Sequence, residues 1–144
     1  MKDVNKYRGC LIGGAVGDAL GYAVEFIQDY EIFKKYGAKG ITEYSLVNGI
    51  APISDDTQMT LFTANGLLIG TTRAMTRGIM APYPYYISLC YKDWLKTQIS
   101  EDFGFEASTF SWLNNVSGMN HSRDPRRTCI EYLMNNKLGS ISNQ

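Results

Sequence analysis

The sequence predicts an all-α fold, and three observations carry that expectation. Apolar residues recur at three- and four-residue spacing in several separate stretches, the pattern of helices with one buried face. Gly37, Pro82, Pro84 and Pro125 punctuate those stretches where helices begin or end. Apolar residues make up 44% of the 144, enough for the core of one domain, with no internal repeat, low-complexity tract or linker to divide it.

The first stripe is formed by Arg8, Leu11, Ile12, Ala15, Val16, Ala19 and Leu20. Gly13, Gly14, Gly17 and Gly21 lie within it, each lowering helix propensity by up to about 1 kcal/mol relative to alanine. Close approach of another helix, or of a ligand, to a face without side chains is the expected compensation, with the helix contact favoured. No strand precedes these glycines and their spacing differs from a dinucleotide-binding turn. Asp29–Tyr36 reads as a short helix closed by Gly37. Residues 40–47 look extended, and Asn48-Gly49 marks a turn. A strong helix over about 55–69 follows, with Met59, Phe62, Gly66 and Ile69 on one face and Leu61 and Leu68 on another. Being apolar on more than one side, it is expected deep in the core. Pro82 and Pro84 introduce a helix carrying Ile87, Cys90, Tyr91, Trp94, Leu95 and Gln98. Residues 100–124 are polar and irregular apart from 110–113, and Pro125 opens a last helix reaching about Asn136.

Fourteen basic residues balance fourteen acidic ones and form no patch, so neither a nucleic-acid nor a membrane-surface partner has electrostatic support. The weakly charged run 9–24 contains Asp18 and is too short and polar for a membrane span. Lys2, Lys6 and Arg8 precede it as in a signal peptide, but Asp3 and Asp18 sit where that reading needs basic and apolar residues. Cys10, Cys90 and Cys129, odd in number and far apart, suggest reduced thiols in a cytoplasmic protein.

The sharpest chemical constellation is Ser54-Asp55-Asp56-Thr57, at the start of the Met59 helix. Adjacent carboxylates flanked by hydroxyls offer hard oxygen donors, which suit magnesium or manganese better than zinc. Read locally, Asp55 with Gln58 three residues on resembles a capping box, and that structural role is the stronger one on these residues alone. Glu25, between Val24 and Phe26, could be tuned as an acid, base or ligand by partial desolvation, though locally a solvated residue at a helix end is the stronger reading. Asp18, among apolar neighbours, requires a hydrogen-bonding partner. His121 reads as a solvated loop residue, and no nucleophilic triad is recognisable.

The stretch from Arg8 through Gly13, Asp18 and Glu25 to Phe26 resembles the opening signature of the ADP-ribosylglycohydrolases, including the dinitrogenase-reductase-activating type. The stretch from Ile53 through Ser54, Asp55, Asp56 and Gln58 to Phe62 is similar to that family's first metal-binding motif, with serine where many members have threonine. Asp93 to Gln98 and Asp124 to Cys129 add matches in the same order, so the resemblance covers nearly the whole chain. It implies an all-α orthogonal helical bundle that removes ADP-ribose from modified protein side chains or cleaves related ADP-ribosyl compounds. It implies magnesium or manganese, two ions in typical members, and it reverses the local reading of the aspartates. Carried over by position, Ser54, Asp55, Asp56 and Glu25 become metal ligands, and Glu25 and Asp56 the catalytic residues. Asp55 and Asp56 are then expected to line a solvent-reachable cleft near Glu25. The ions would hold a ribose diol and a water in fixed relative positions.

The departure from the family is at the far end. Members carry a second metal motif near the C-terminus and an Asn- and Gly-rich substrate loop, neither of which occurs within residues 1–144. The expectation is therefore the N-terminal portion of a single such domain, incomplete at its C-terminus. Weak magnesium binding follows from that expectation, as do exposed apolar surface on the Met59 helix and around Tyr86, Tyr91 and Leu95, and self-association or a complementing chain. The alternatives are a catalytically incompetent truncated piece of such an enzyme, or a non-enzymatic, crystallin-like or interaction relative.

Overall fold

The computed structural model describes residues 3–79, 81–99 and 109–135, and among them every regular element is helical. The five α-helices are α1 (Val4–Tyr22), α2 (Asp29–Tyr36), α3 (Asp55–Arg77), α4 (Tyr83–Gln98) and α5 (Arg127–Met134), with 3-10 turns at Trp112–Asn115 and Ser117–Met119. The chain is all-α, as expected. No helix among the described residues is long and apolar enough to cross a membrane. Cys10, Cys90 and Cys129 are all free thiols.

Two compact units divide the chain, Met1–Thr57 and Gln58–Gln144, the boundary falling in the first turn of α3. In the first unit, Asp3 caps α1 by accepting the Asn5 N–H at 2.9 Å. The α2 helix has Asp29 and Glu31 in its first turn and Lys34 and Lys35 in its last, the polarity the helix dipole favours. Gly37 ends it at φ 82°, a conformation only glycine adopts readily, with its N–H on the Phe33 carbonyl at 2.9 Å. The segment expected to be extended forms no ladder beyond a Val47–Ile50 bridge. Asn48 and Gly49 both have positive φ there, 52° and 80°, making the tight turn their dipeptide predicts.

Within the first unit, no other described element comes close over Gly13, Gly14, Gly17 and Gly21. A Cβ built on any of these would meet nothing within 4 Å. The glycines under contact are instead in α3: a Cβ on Gly66 would lie 2.8 Å from Ile87 Cα, and one on Gly70 2.6 Å from Tyr86 Cδ2. These two let α3 and α4 approach within the second unit, which holds the apolar core. Phe62, Ile69, Tyr86, Cys90, Trp94 and Leu95 form its centre, with Cys129, Ile130 and Leu133 of α5 packed against it.

The α3 helix departs from expectation in two ways. It continues to Arg77, well past residue 69, and stops where Gly78 takes φ 65° and donates to the Ala74 carbonyl at 3.1 Å. Only one of its faces is buried, through Gln58, Phe62, Asn65 and Ile69; Leu67 and Leu68 are exposed. In α4 the outcome is the reverse, since Tyr86 and Leu95, expected at the surface, are buried in the core.

Four polar side chains of α3 and α4 bind the irregular segment after α4. Asp93 Oδ2 accepts the N–H groups of Phe110 and Ser111 at 2.6 and 2.7 Å. Asn65 Oδ1 accepts from Ser111 Oγ at 2.7 Å and from the Trp112 N–H at 3.0 Å. Gln98 Oε1 accepts the Arg123 N–H at 3.0 Å, and Gln58 Nε2 donates to the His121 carbonyl at 2.9 Å. Side chains thus satisfy backbone groups that neither helix nor sheet could. The last helix starts at Arg127 rather than at Pro125, because Asp124 has φ 54° and Arg126 is still extended.

Candidate functional site

Ser54 is the N-cap of α3. Its Oγ accepts the Asp56 N–H at 3.1 Å, satisfying one of the amides a helix start leaves without an intrahelical partner. This corrects the capping box read from Asp55 and Gln58. The cap lies one residue earlier, and Gln58 is fully buried with its amide bonded to Trp94, Gln98 and the His121 carbonyl. The two aspartates therefore occupy the first turn of a helix that is already capped. Negative charge there is favoured by the helix dipole.

Asp18 supplies a second set of bonds. From α1, its Oδ2 accepts the Ser54 N–H at 2.9 Å and the Thr57 hydroxyl. The partner that its apolar surroundings required is thus the start of α3. Ser54, Asp55 and Thr57 are buried, and with Ala19 they are the buried residues described in the first unit. Asp56 is exposed. Chain order brings Ser54, Asp55 and Asp56 together, and the cap and the Asp18 bonds fix their backbone.

Glu25 is exposed, in the turns that follow α1, where its N–H bonds the Tyr22 carbonyl at 3.3 Å. Its carboxylate takes no part in the hydrogen bonds that join Asp18 to the start of α3. A cavity of about 320 Å³ in the first unit lies beside the end of α2, lined by Lys35, Tyr36, Thr42, Glu43, Tyr44 and Ser45. None of these is a candidate ligand, so that cavity is not the cleft expected around the aspartates.

The donors at the start of α3 are all hard oxygens, two carboxylates and a hydroxyl, and in kind they fit a magnesium-type cation. In number they are few: among the described residues no group of three or more His, Cys, Asp or Glu side chains is placed to hold a metal ion. Sequence reasoning placed Gln58 in a cap and Asp93 in a matching segment without expecting either to be buried, and it passed over buried Asn65. Gln58 and Asn65 stand on the stripe 58–62–65–69, and polar residues at core positions of a helical stripe were the signal available. A family model described as ADP-ribosylglycohydrolase matches residues 1–143. No curated protein and no solved structure matches the chain.

Proposed function

The chain belongs to the ADP-ribosylglycohydrolase family, and we propose that it acts in the magnesium-dependent hydrolysis of ADP-ribose from modified protein side chains or related ADP-ribosyl compounds. The observation that carries this reading is the capped first turn of α3. Two carboxylates stand there in addition to the serine that makes the cap, at an end of the helix that Asp18 also holds. A purely structural helix start needs only the cap.

Ser54, Asp55 and Asp56 are the residues that would hold a hard cation. A magnesium ion held there would supply positive charge for ribose and water oxygens and would polarise the bond to the leaving group. The chain's own contribution is to orient. Asp56, which is exposed, would accept a hydrogen bond from a water or a ribose hydroxyl, and Glu25 would be the second carboxylate, as acid or base. Manganese satisfies the same donor preference.

Incubation with an ADP-ribosylated protein tests the reading, with free ADP-ribose measured by chromatography. Magnesium-dependent release is expected, and it should be lost with EDTA and in Asp55→Asn and Asp56→Asn. Release that persists in both variants would overturn the site. Metal binding with no release would instead favour a non-catalytic relative.

A further inference from the structure

We propose that Asp18 is the positioning residue of the candidate cation site, holding the first turn of α3 in the shape that presents Asp55 and Asp56. This rests on the reading of that turn as a cation site. One oxygen, Oδ2, takes both donors, the Ser54 N–H at 2.9 Å and the Thr57 hydroxyl. These two residues flank the aspartate pair, so the bonds bracket it on both sides. The Ser54 Oγ bond to the Asp56 N–H at 3.1 Å closes the same turn from within.

Three features make this more than a surface contact. Ser54 is 1% and Thr57 6% exposed, so water competes little for either bond. The acceptor is a carboxylate, and hydrogen bonds to an ionised acceptor are roughly twice as strong as neutral ones. Asp18 lies 36 residues before Ser54 and on a helix, so the turn is held by a rigid element and not by its own loop. Partners that orient ligands in this way govern metal affinity without touching the metal. Asp18 acts here through its Oδ2, which takes the two donors that flank the aspartate pair, and the asparagine variant separates that role from direct ligation. It also forms no three-residue ligand group with the aspartates among the described residues.

The test is manganese binding, with free Mn2+ counted by electron paramagnetic resonance, for the wild type, Asp18→Ala, Asp18→Asn and Thr57→Val. Metal-free thermal unfolding is recorded for each. Asp18→Ala is expected to weaken binding by about tenfold. Asp18→Asn keeps an oxygen that can accept both bonds and should restore most of that loss. Thr57→Val, which removes one donor and preserves shape, should fall between and remains informative where the alanine variant does not fold. Affinity unchanged in Asp18→Ala and Thr57→Val, with only the unfolding temperature lowered, would show a merely structural role and overturn the proposal. So would an asparagine variant as weak as the alanine one, since that pattern belongs to a direct ligand. A wild type that binds no Mn2+ would overturn the cation site itself, whereas binding that ignores Asp18 overturns only the positioning.

Discussion

Replacing Gln58 by leucine removes the polar centre of the second unit at nearly constant volume. The Gln58 Oε1 accepts from Trp94 Nε1 at 3.1 Å and Gln98 Nε2 at 3.0 Å, and its Nε2 donates to the His121 carbonyl at 2.9 Å. Gln58 and Trp94 are both 0% exposed, so the indole N–H is left with no acceptor and no water. A buried donor without a partner costs about 1–3 kcal/mol. The His121 carbonyl suffers less, because Gln98 Nε2 also reaches it at 3.3 Å. Gln98 keeps its bonds to the Arg123 N–H at 3.0 Å and the Thr97 hydroxyl at 2.6 Å. The net loss is therefore about 2 kcal/mol, nearly all from the orphaned indole. Urea unfolding followed by tryptophan fluorescence should show the midpoint falling by about 1 M for a slope of about 1–3 kcal/mol per molar. The same substitution in a Trp94→Phe background should cost less, since the donor is already gone. Wild-type stability in Gln58→Leu, or an equal cost in both backgrounds, would refute this account of the cluster.

Gly66→Ala should destabilise the chain by up to about 2 kcal/mol even though alanine favours helix. The added methyl meets Ile87 backbone at 2.8–2.9 Å, and overpacking costs about 1–3 kcal/mol against a propensity gain of about 1; chemical denaturation measures the difference. Burial pushes the Cys90 thiol from 9.0 to about 12, with the Asp93 charge adding and the Ser111 hydrogen bond opposing. The folded chain then holds a proton that the unfolded chain loses, so this contribution to stability is full below pH 9 and declines from pH 9 towards 12, as alkaline unfolding curves should show. Ellman's reagent should label exposed Cys10 first and Cys90 only after denaturation. Leu46, Val47 and Ile50, 59%, 61% and 71% exposed around the Asn48-Gly49 turn, should promote self-association; serine at all three should lower the mass seen by light scattering at high concentration.

Helix ends marked by stereochemistry were the most legible parts of the fold. Asp29–Tyr36 ends where predicted because Gly37 adopts a φ that only glycine takes readily. The overrun of α3 to Arg77 was illegible for a physical reason. Residues 71–77 have no apolar stripe to mark them as helix, and Thr71 and Thr76, whose hydroxyls return to the carbonyls four residues earlier, add no helix propensity that would mark it. The burial of Tyr86 and Leu95 depends on α5 and residues 109–119, whose packing no local pattern encodes. At the candidate site, Asp55 and Asp56 stood out by adjacency and Asp18 by its apolar neighbours. That Asp18 binds Ser54 and Thr57 is a tertiary fact, 36 and 39 residues apart in sequence. The glycines of α1 show the converse. Their spacing promised a close contact, yet the contacts that leave no room for a side chain are at Gly66 and Gly70, spaced four apart within α3.

Magnesium titration by calorimetry, comparing the wild type with Asp55→Ala/Asp56→Ala, tests the cation site at the start of α3 most directly. Affinity for a hard cation follows the number and charge of its oxygen ligands, so two carboxylates and a hydroxyl predict weak but measurable binding by the wild type. The double variant should show none, while remaining folded by circular dichroism because Ser54 still caps α3. Equal heats from both proteins would contradict the account.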